Sequence, residues 1–205
     1  MRPDTTAVLF QGLQVDFCSP QGKLYDQLAE QLAARRLVPA LVSFLEEALD
    51  LGLRAYFVPI VFTPDYRELR QVGGILGAIK EAGAFQAGTP GAEPVEELRP
   101  LLDRITVVQA KRGLCAFGST DLDDRLRGDG IETVAVCGLL TNVCVETTAR
   151  SAYDLGYEVI VLTDLTAARS PEEQAASERF IFPLLGREMT GAEFLEEVGQ
   201  AQPVV

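Results

Sequence analysis

The chain has no histidine in its 205 residues. The usual partner that activates a nucleophilic thiol is therefore missing, and so is the commonest zinc ligand. Four cysteines, Cys18, Cys115, Cys137 and Cys144, are scattered without a C-x-x-C pair. That spacing suits neither a zinc site nor a disulfide framework, and free thiols are expected. Positive charge is scarce: 18 Lys and Arg stand against 30 Asp and Glu, a formal net charge of −12. This balance speaks against nucleic acid and anionic membranes as partners, since both need clustered cations, and it is read as solubility. No apolar run reaches the length of a membrane span, because Asp50 and Arg54 interrupt the most hydrophobic stretches. The N-terminal MRPDTTAVLFQG lacks the apolar core and small-residue cleavage site of a signal peptide, so a cytoplasmic location is expected. The glycines match neither the phosphate-loop nor the dinucleotide spacing, and no cofactor is expected.

What is present is a regular alternation. Strand-like runs read AVLF (7–10), RAYFVPIVF (54–62), ITVVQA (105–110), ETVAVCG (132–138) and EVIVLTD (158–164). Between them lie helical patterns. RRLVPALVSFLEEALDLG puts Leu37, Leu41, Phe44, Leu45 and Ala48 on one face and stops at Gly52; TDLDDRLRGDG opens at Thr120; VCVETTARSAYDLGY closes at Gly156. Near-continuous apolar strands separated by helices predict an α/β fold of three layers, with a central, mainly parallel sheet covered on both faces. The whole of 1–205 is read as a single domain. Residues 63–100, rich in glycine and proline, predict a long excursion with short helices over the strand ends, where pocket walls form.

In such sheets ligands bind beyond the carboxyl ends of the strands. The ends after Phe10, Ala110 and Gly138 bring Gly12 to Asp16, Lys111 and Cys144 to a common mouth. Cys144 falls where strand gives way to helix, after a Thr141-Asn142 pair able to cap. In a first helical turn, the dipole and unpaired N–H groups favour thiolate and can bind an oxyanion. A helical cysteine is otherwise a small buried hydrophobe. Lys111 would supply a cation beside that thiolate, or else snorkel to solvent. Phe17, Phe62 and Phe117 would line the mouth for a small planar or apolar substrate, or else belong to the core.

The segments AVLFQGLQVDF and KRGLCAFGSTDLDDRLRGDGIETVAVCGLLTNVCVETTARSAYDLGYEVIVLTD resemble the isochorismatase-like cysteine hydrolases, a family with nicotinamidases and N-carbamoylsarcosine amidohydrolases among its members. The resemblance runs over most of the chain and is weakest in 63–100. It implies an Asp-Lys-Cys triad with Cys144 as nucleophile and Lys111 as its cation. It also implies a cis peptide between Leu139 and Leu140, and an oxyanion hole from the amides of Leu140 and Cys144. The family commonly assembles as dimers or tetramers, so a homo-oligomer is implied too. Metal-dependent members carry an Asp-x-His cluster where this chain reads FTPDYREL, so no metal is implied, and activity is expected to survive a chelator.

One position departs from the pattern. The triad aspartate of the D-x-Q-x-D-F motif is here Gly12, in GLQVDF; Gln14, Asp16 and Phe17 keep their places. A general base typically contributes about 10²- to 10⁴-fold to rate. The resulting expectation is metal-free hydrolysis of a small amide-type C–N bond through a thioester on Cys144, with Asp16 as a substitute acid or with Lys111 and the helix terminus sufficing. The alternative is a catalytically weak or inactive member that serves as a binding or assembly protein. A carboxylate restored by Gly12→Asp is expected to raise turnover.

Overall fold

The computed structural model describes residues 1–70 and 73–201; residues 71, 72 and 202–205, which belong to the expected excursion and domain span, lie outside them. Strands β1 (Thr6–Gln11), β2 (Arg54–Phe57), β3 (Thr106–Val107), β4 (Thr133–Leu139), β5 (Glu158–Ala167) and β6 (Arg187–Met189) form one parallel sheet. Their order is β3-β2-β1-β4-β5-β6. The sequence pattern anticipates the first five strands. It misses β6, whose three residues are too few to show a period.

Helices α1 (Val15–Cys18), α2 (Ala29–Arg35), α3 (Leu37–Asp50), α4 (Gly74–Ala82), α5 (Leu122–Gly128), α6 (Glu146–Asp154), α7 (Pro171–Phe180), α8 (Phe182–Leu185) and α9 (Gly191–Gln200) cover the sheet. The two faces of β1 separate cleanly by parity, as period-2 alternation requires. Val8 and Phe10 pack in one apolar cluster with Leu41 and Phe44 of α3 and Phe194 of α9. Ala7 and Leu9 pack in the other with Leu122 and Leu126 of α5, Ala149 of α6 and Phe182 of α8. Burying apolar surface on both faces, worth roughly 25 cal/mol per Å², is what makes the strands near-continuously hydrophobic. The stripe on α3 is the expected one, with Leu37, Leu41, Phe44, Leu45 and Ala48 all buried. The excursion holds α4 and two 3-10 segments, Pro90–Ala92 and Glu96–Arg104. Among the described residues, no helix is long and apolar enough to cross a membrane.

Reading outward from the centre, the strand order reverses direction between β1 and β4. The carboxyl ends of this adjacent pair mark the topological switch point, the default position for a ligand crevice in an open α/β sheet.

Candidate functional site

The site is built at the ends of β1 and β4. Gln11 of β1 lies opposite Gly138 of β4, and the strands approach so closely there that a Cβ on Gly138 would overlap the Gln11 carbonyl oxygen. Glycine is therefore required at 138, where φ is +100°. β4 then leads through a cis peptide between Leu139 and Leu140 into a single π-helical turn, Thr141–Val145, before α6. π turns inside helices recur at functional sites. The Leu140 carbonyl accepts from the amides of Val143 and Val145, both at 3.1 Å, which folds the turn back on the strand end. Cys144 sits on this turn, 6% exposed.

The expected cap does not form: the turn has no side-chain N-cap. Thr141 instead donates from Oγ1 to Gln174 Oε1 at 2.6 Å. The same Gln174 oxygen accepts the Ala168 amide at 3.1 Å, so the threonine clamps the turn to α7. The fold's demand for a buried tie at this corner outweighed the local preference of threonine for a cap.

Lys111 reaches the site along the line of β3. It pairs with Ile60 through an isolated parallel bridge, and its carbonyl accepts the Val61 amide at 3.2 Å. The preceding residue, Ala110, holds a positive φ of 74°, a conformation that side-chain-bearing residues adopt only where surroundings enforce it. The Lys111 side chain is 1% exposed. Its Nζ donates to Gln11 Oε1 at 2.6 Å. Gln11 Nε2 in turn donates to Thr148 Oγ1 at 3.0 Å and to the Cys144 carbonyl at 3.3 Å. Thr148 Oγ1 also accepts the Ala116 amide at 2.9 Å. Burial holds the Lys111 ammonium below its ordinary range, opposed by the charges of Cys144 and Cys115 and by a hydrogen bond with Cys144. Lys111 and Cys144 thus share one buried polar network.

Gln11 and Thr148 are the residues that sequence reasoning missed. The signals were a polar residue ending an otherwise apolar strand, and a threonine four positions after Cys144, on the same helical face.

Asp16 does not join this network. Its Oδ1 accepts the Lys23 amide at 3.1 Å and its Oδ2 the Phe85 amide at 2.6 Å. A Cβ on Gly91 would overlap its carboxylate. The substitute-acid expectation is corrected accordingly: one oxygen holds the loop that follows α1 and the other ties down the excursion at Phe85. Gln14 does similar work, bridging Ile60 and Ala92.

Gly12 is equally specific. Its φ is +77°, and a Cβ there would lie 2.7 Å from Leu139 Cβ and 3.0 Å from the Leu139 carbonyl oxygen. A side chain at this position would have to displace Leu139, which weighs against the gain expected from Gly12→Asp.

A cavity of about 570 Å³ lies beside the turn. Its wall includes Phe17 of α1, Leu28 just before α2, Ile75 of α4, Leu140 at the cis bond, and Asn142 and Val143 of the turn; neither Cys144 nor Lys111 lines it. Phe17, in that wall, packs against Phe85 with ring centres 4.7 Å apart. Phe62 and Phe117 are not in that wall, and those two expectations are corrected. Phe62 is fully buried against Tyr66. Phe117 stacks on Tyr157, which precedes the opposite end of β5. The buried Oδ1 of Asn142 has no hydrogen-bond partner. Cys115 donates to Ser151 Oγ at 3.1 Å. Among the described residues, no group of three His, Cys, Asp or Glu could hold a metal ion.

The isochorismatase domain model matches residues 6–193. An uncharacterized isochorismatase family protein, YwoC of Bacillus subtilis (strain 168), is 43% identical over 118 residues, 58% of this chain and 61% of that protein. Nicotinamidase 3 of Arabidopsis thaliana is 32% identical over 129 residues, 63% of this chain and 65% of its own. The matched stretches therefore span less than two thirds of these curated relatives. Among solved structures, a cysteine hydrolase from Pseudomonas syringae pv. phaseolicola 1448A superposes with a TM-score of 0.85 at 28% identity, covering 98% of this chain and 96% of that one.

Proposed function

The chain belongs to the isochorismatase family, and on that premise we propose that it is a metal-free cysteine hydrolase of small amide-type C–N bonds. Cys144 is the nucleophile and Lys111 its cationic partner. The observation that carries the reading is the buried network of Lys111, Gln11, Thr148 and the Cys144 turn at the switch point of the sheet. A lysine buried to 1% exposure costs several kcal/mol in desolvation, and a fold retains such a group where chemistry uses its charge or its proton. The relatives with stated activities reported above are hydrolases, one a nicotinamidase and one a cysteine hydrolase. The non-catalytic alternative draws no support from them.

In the proposed reaction the Cys144 thiolate attacks the amide carbonyl carbon. The oxyanion that forms is held by the backbone N–H groups of Leu140 and Cys144, where fixed donors stabilise charge as it develops. The C–N bond then breaks, the amine leaves with a proton, and a thioester remains on Cys144. Water opens the thioester, releasing the acid and restoring the thiol. Splitting one hard displacement into two easier ones is the gain of covalent catalysis.

The cavity narrows the substrate class. Phe17, Leu28, Ile75 and Val143 favour an apolar or planar acyl group, and the unpartnered Asn142 Oδ1 is an acceptor for the amide N–H₂ of the substrate. A buried acceptor left unpaired costs about 1–3 kcal/mol, which binding of such a donor recovers. Intact-mass spectrometry on protein incubated with a panel of small carboxamides tests the proposal. An increment equal to an acyl group, lost in Cys144→Ser, is expected for planar or apolar amides. Absence of any adduct across the panel, with Cys144 still open to alkylation, overturns it.

A further inference from the structure

Resting on that reading, the same network raises a question the reaction leaves open: where the thiol proton goes. The acid expected at the end of β1 is Gly12, and the carboxylate of Asp16 is occupied by the Lys23 and Phe85 amides. The nearest polar group to Lys111 on β1 is the neutral amide of Gln11. We propose that Lys111 itself is the proton carrier of this site, accepting the proton of Cys144, and that Gln11 is the residue that positions it.

The orientation of the Gln11 amide is fixed by its neighbours. Nε2 faces the Cys144 carbonyl oxygen, which can only accept, and Oε1 faces Lys111 Nζ. Thr148 Oγ1, already accepting the Ala116 amide, holds Nε2 in place. Gln11 thereby takes one N–H of Lys111 without supplying a countercharge. A carboxylate in its place would hold Lys111 permanently as ammonium. Besides Gln11, the groups that act on Lys111 are the thiols of Cys144 and Cys115, with no carboxylate acting on it among the described residues. An isolated ammonium or thiolate buried here would be strongly disfavoured. The site is neutral when it contains one proton divided between sulfur and nitrogen, as amine and thiol or as ammonium and thiolate. Such a pair titrates as a unit.

The steps balance. The Lys111 amine takes the Cys144 proton, giving ammonium and thiolate. Sulfur adds to the carbonyl carbon. As the C–N bond breaks, the ammonium gives its proton to the leaving nitrogen, and Lys111 is again an amine beside a thioester. The amine then takes a proton from the attacking water as the C–O bond forms. When the C–S bond breaks, the sulfur is released as thiolate beside the ammonium, which is the starting pair.

The chain has three lysines, Lys23, Lys80 and Lys111, so the side-chain nitrogen and Cε resonances of each can be followed separately by NMR as pH is varied. Lys111 is expected to titrate in step with the alkylation of Cys144 by iodoacetamide. In Cys144→Ala its transition should move to lower pH, while Lys23 and Lys80 stay put. Lys111→Met should slow Cys144 alkylation near neutral pH about tenfold or more, one tenfold step per unit by which the rate profile moves. Gln11→Met should slow it about tenfold when Lys111 is present, and should add nothing in the Lys111→Met background. Should Gln11→Met not fold, Thr148→Val removes the acceptor that orients Gln11, together with the partner of the Ala116 amide; it should shift the profile the same way and Thr148→Ser should restore it. The proposal is overturned if Lys111 titrates like Lys23 with or without Cys144, or if Gln11→Met acts equally when Lys111 is gone. These readouts need no substrate. A shared proton without any acyl adduct sinks the amide-hydrolase reading alone, and an adduct formed while Lys111 titrates normally sinks the proton-carrier role alone.

Discussion

Substituting Gly12 separates two accounts of the site, a vacant carboxylate position and a position that excludes any side chain. At φ +77° an alanine incurs a left-handed backbone strain of about 1–2 kcal/mol. Its Cβ would also lie 2.7 Å from Leu139 Cβ and 3.0 Å from the Leu139 carbonyl oxygen. Leu139 is 1% exposed and its Cβ moves only with its backbone, so relief requires shifting β4, an overpacking cost of about 1–3 kcal/mol. Together these give about 2–5 kcal/mol. For a chain of this size each kcal/mol lowers the thermal midpoint by about 2–4 °C, so Gly12→Ala should melt about 4–20 °C below the parent. Asparagine and aspartate tolerate positive φ better than alanine but meet the same collision. Aspartate further sets a carboxylate among Leu139 and its apolar neighbours, so Gly12→Asp should be less stable than Gly12→Asn. Circular dichroism melts give the order, and alkylation of Cys144 with amide turnover gives the function. A Gly12→Asp protein that melts within about 2 °C of the parent and turns over amides faster would refute the reasoning, because its carboxylate would then have reached Lys111.

Three further outcomes follow from the same geometry. Burial pushes the Cys18 thiol up to about 12 and raises Cys137 as well, so Cys144 should be alkylated before either near neutral pH; peptide mapping showing Cys18 or Cys137 first would remove the case for a primed Cys144. Lys111 has its folded-state value lowered below 10.5, so the unfolded chain binds more protons than the folded one between the two values; its contribution to stability should rise with pH across that window, and denaturant titrations of Lys111→Met should lack that rise. Asp16→Asn keeps one acceptor oxygen for two amides, Lys23 and Phe85, and should cost about 1–3 kcal/mol without moving the pH profile of Cys144 alkylation; a moved profile with an unchanged melting temperature would make Asp16 part of the chemistry.

Much of the architecture was legible because it rests on local periodicity. The buried stripe of α3 and the parity of β1 are written into the spacing of Leu37, Leu41, Phe44 and of Val8, Phe10, and the strands they define fix the sheet. The placement of Lys111 and Cys144 was legible as well, since both follow strand ends. What escaped notice depends on contacts far apart in the chain. Gln11 and Lys111 are 100 residues apart, and no pattern in either segment announces their hydrogen bond. Phe62 ends one strand-like run and Phe117 follows another, yet whether an aromatic faces a crevice or a core depends on the turn around it. Asp16 looked available because its two backbone partners, at 23 and 85, lie in loops whose course sequence does not give. The capping expectation for Thr141 failed for a related reason: its partner, Gln174, is supplied by α7.

The parity of β1 also bears on whether a carboxylate at position 12 would meet Lys111. Ala7, Leu9 and Gln11 face the side of the sheet covered by α6, where Thr148 and the Cys144 turn lie, while Val8 and Phe10 face the cluster that contains Leu139. The direction of a Cβ on Gly12, towards Leu139, continues the second series. On this backbone a side chain at 12 and the side chain at 11 leave on opposite faces, and Lys111 has bonded to the latter. Gly138 fixes that choice, since only a residue without Cβ lets β4 approach the Gln11 backbone so closely. The amide at 11 and the glycines at 12 and 138 therefore act as one unit. Moving the partner of Lys111 from 11 to 12 would require β1 and β4 to separate, with loss of the register that holds the Cys144 turn against the end of the sheet.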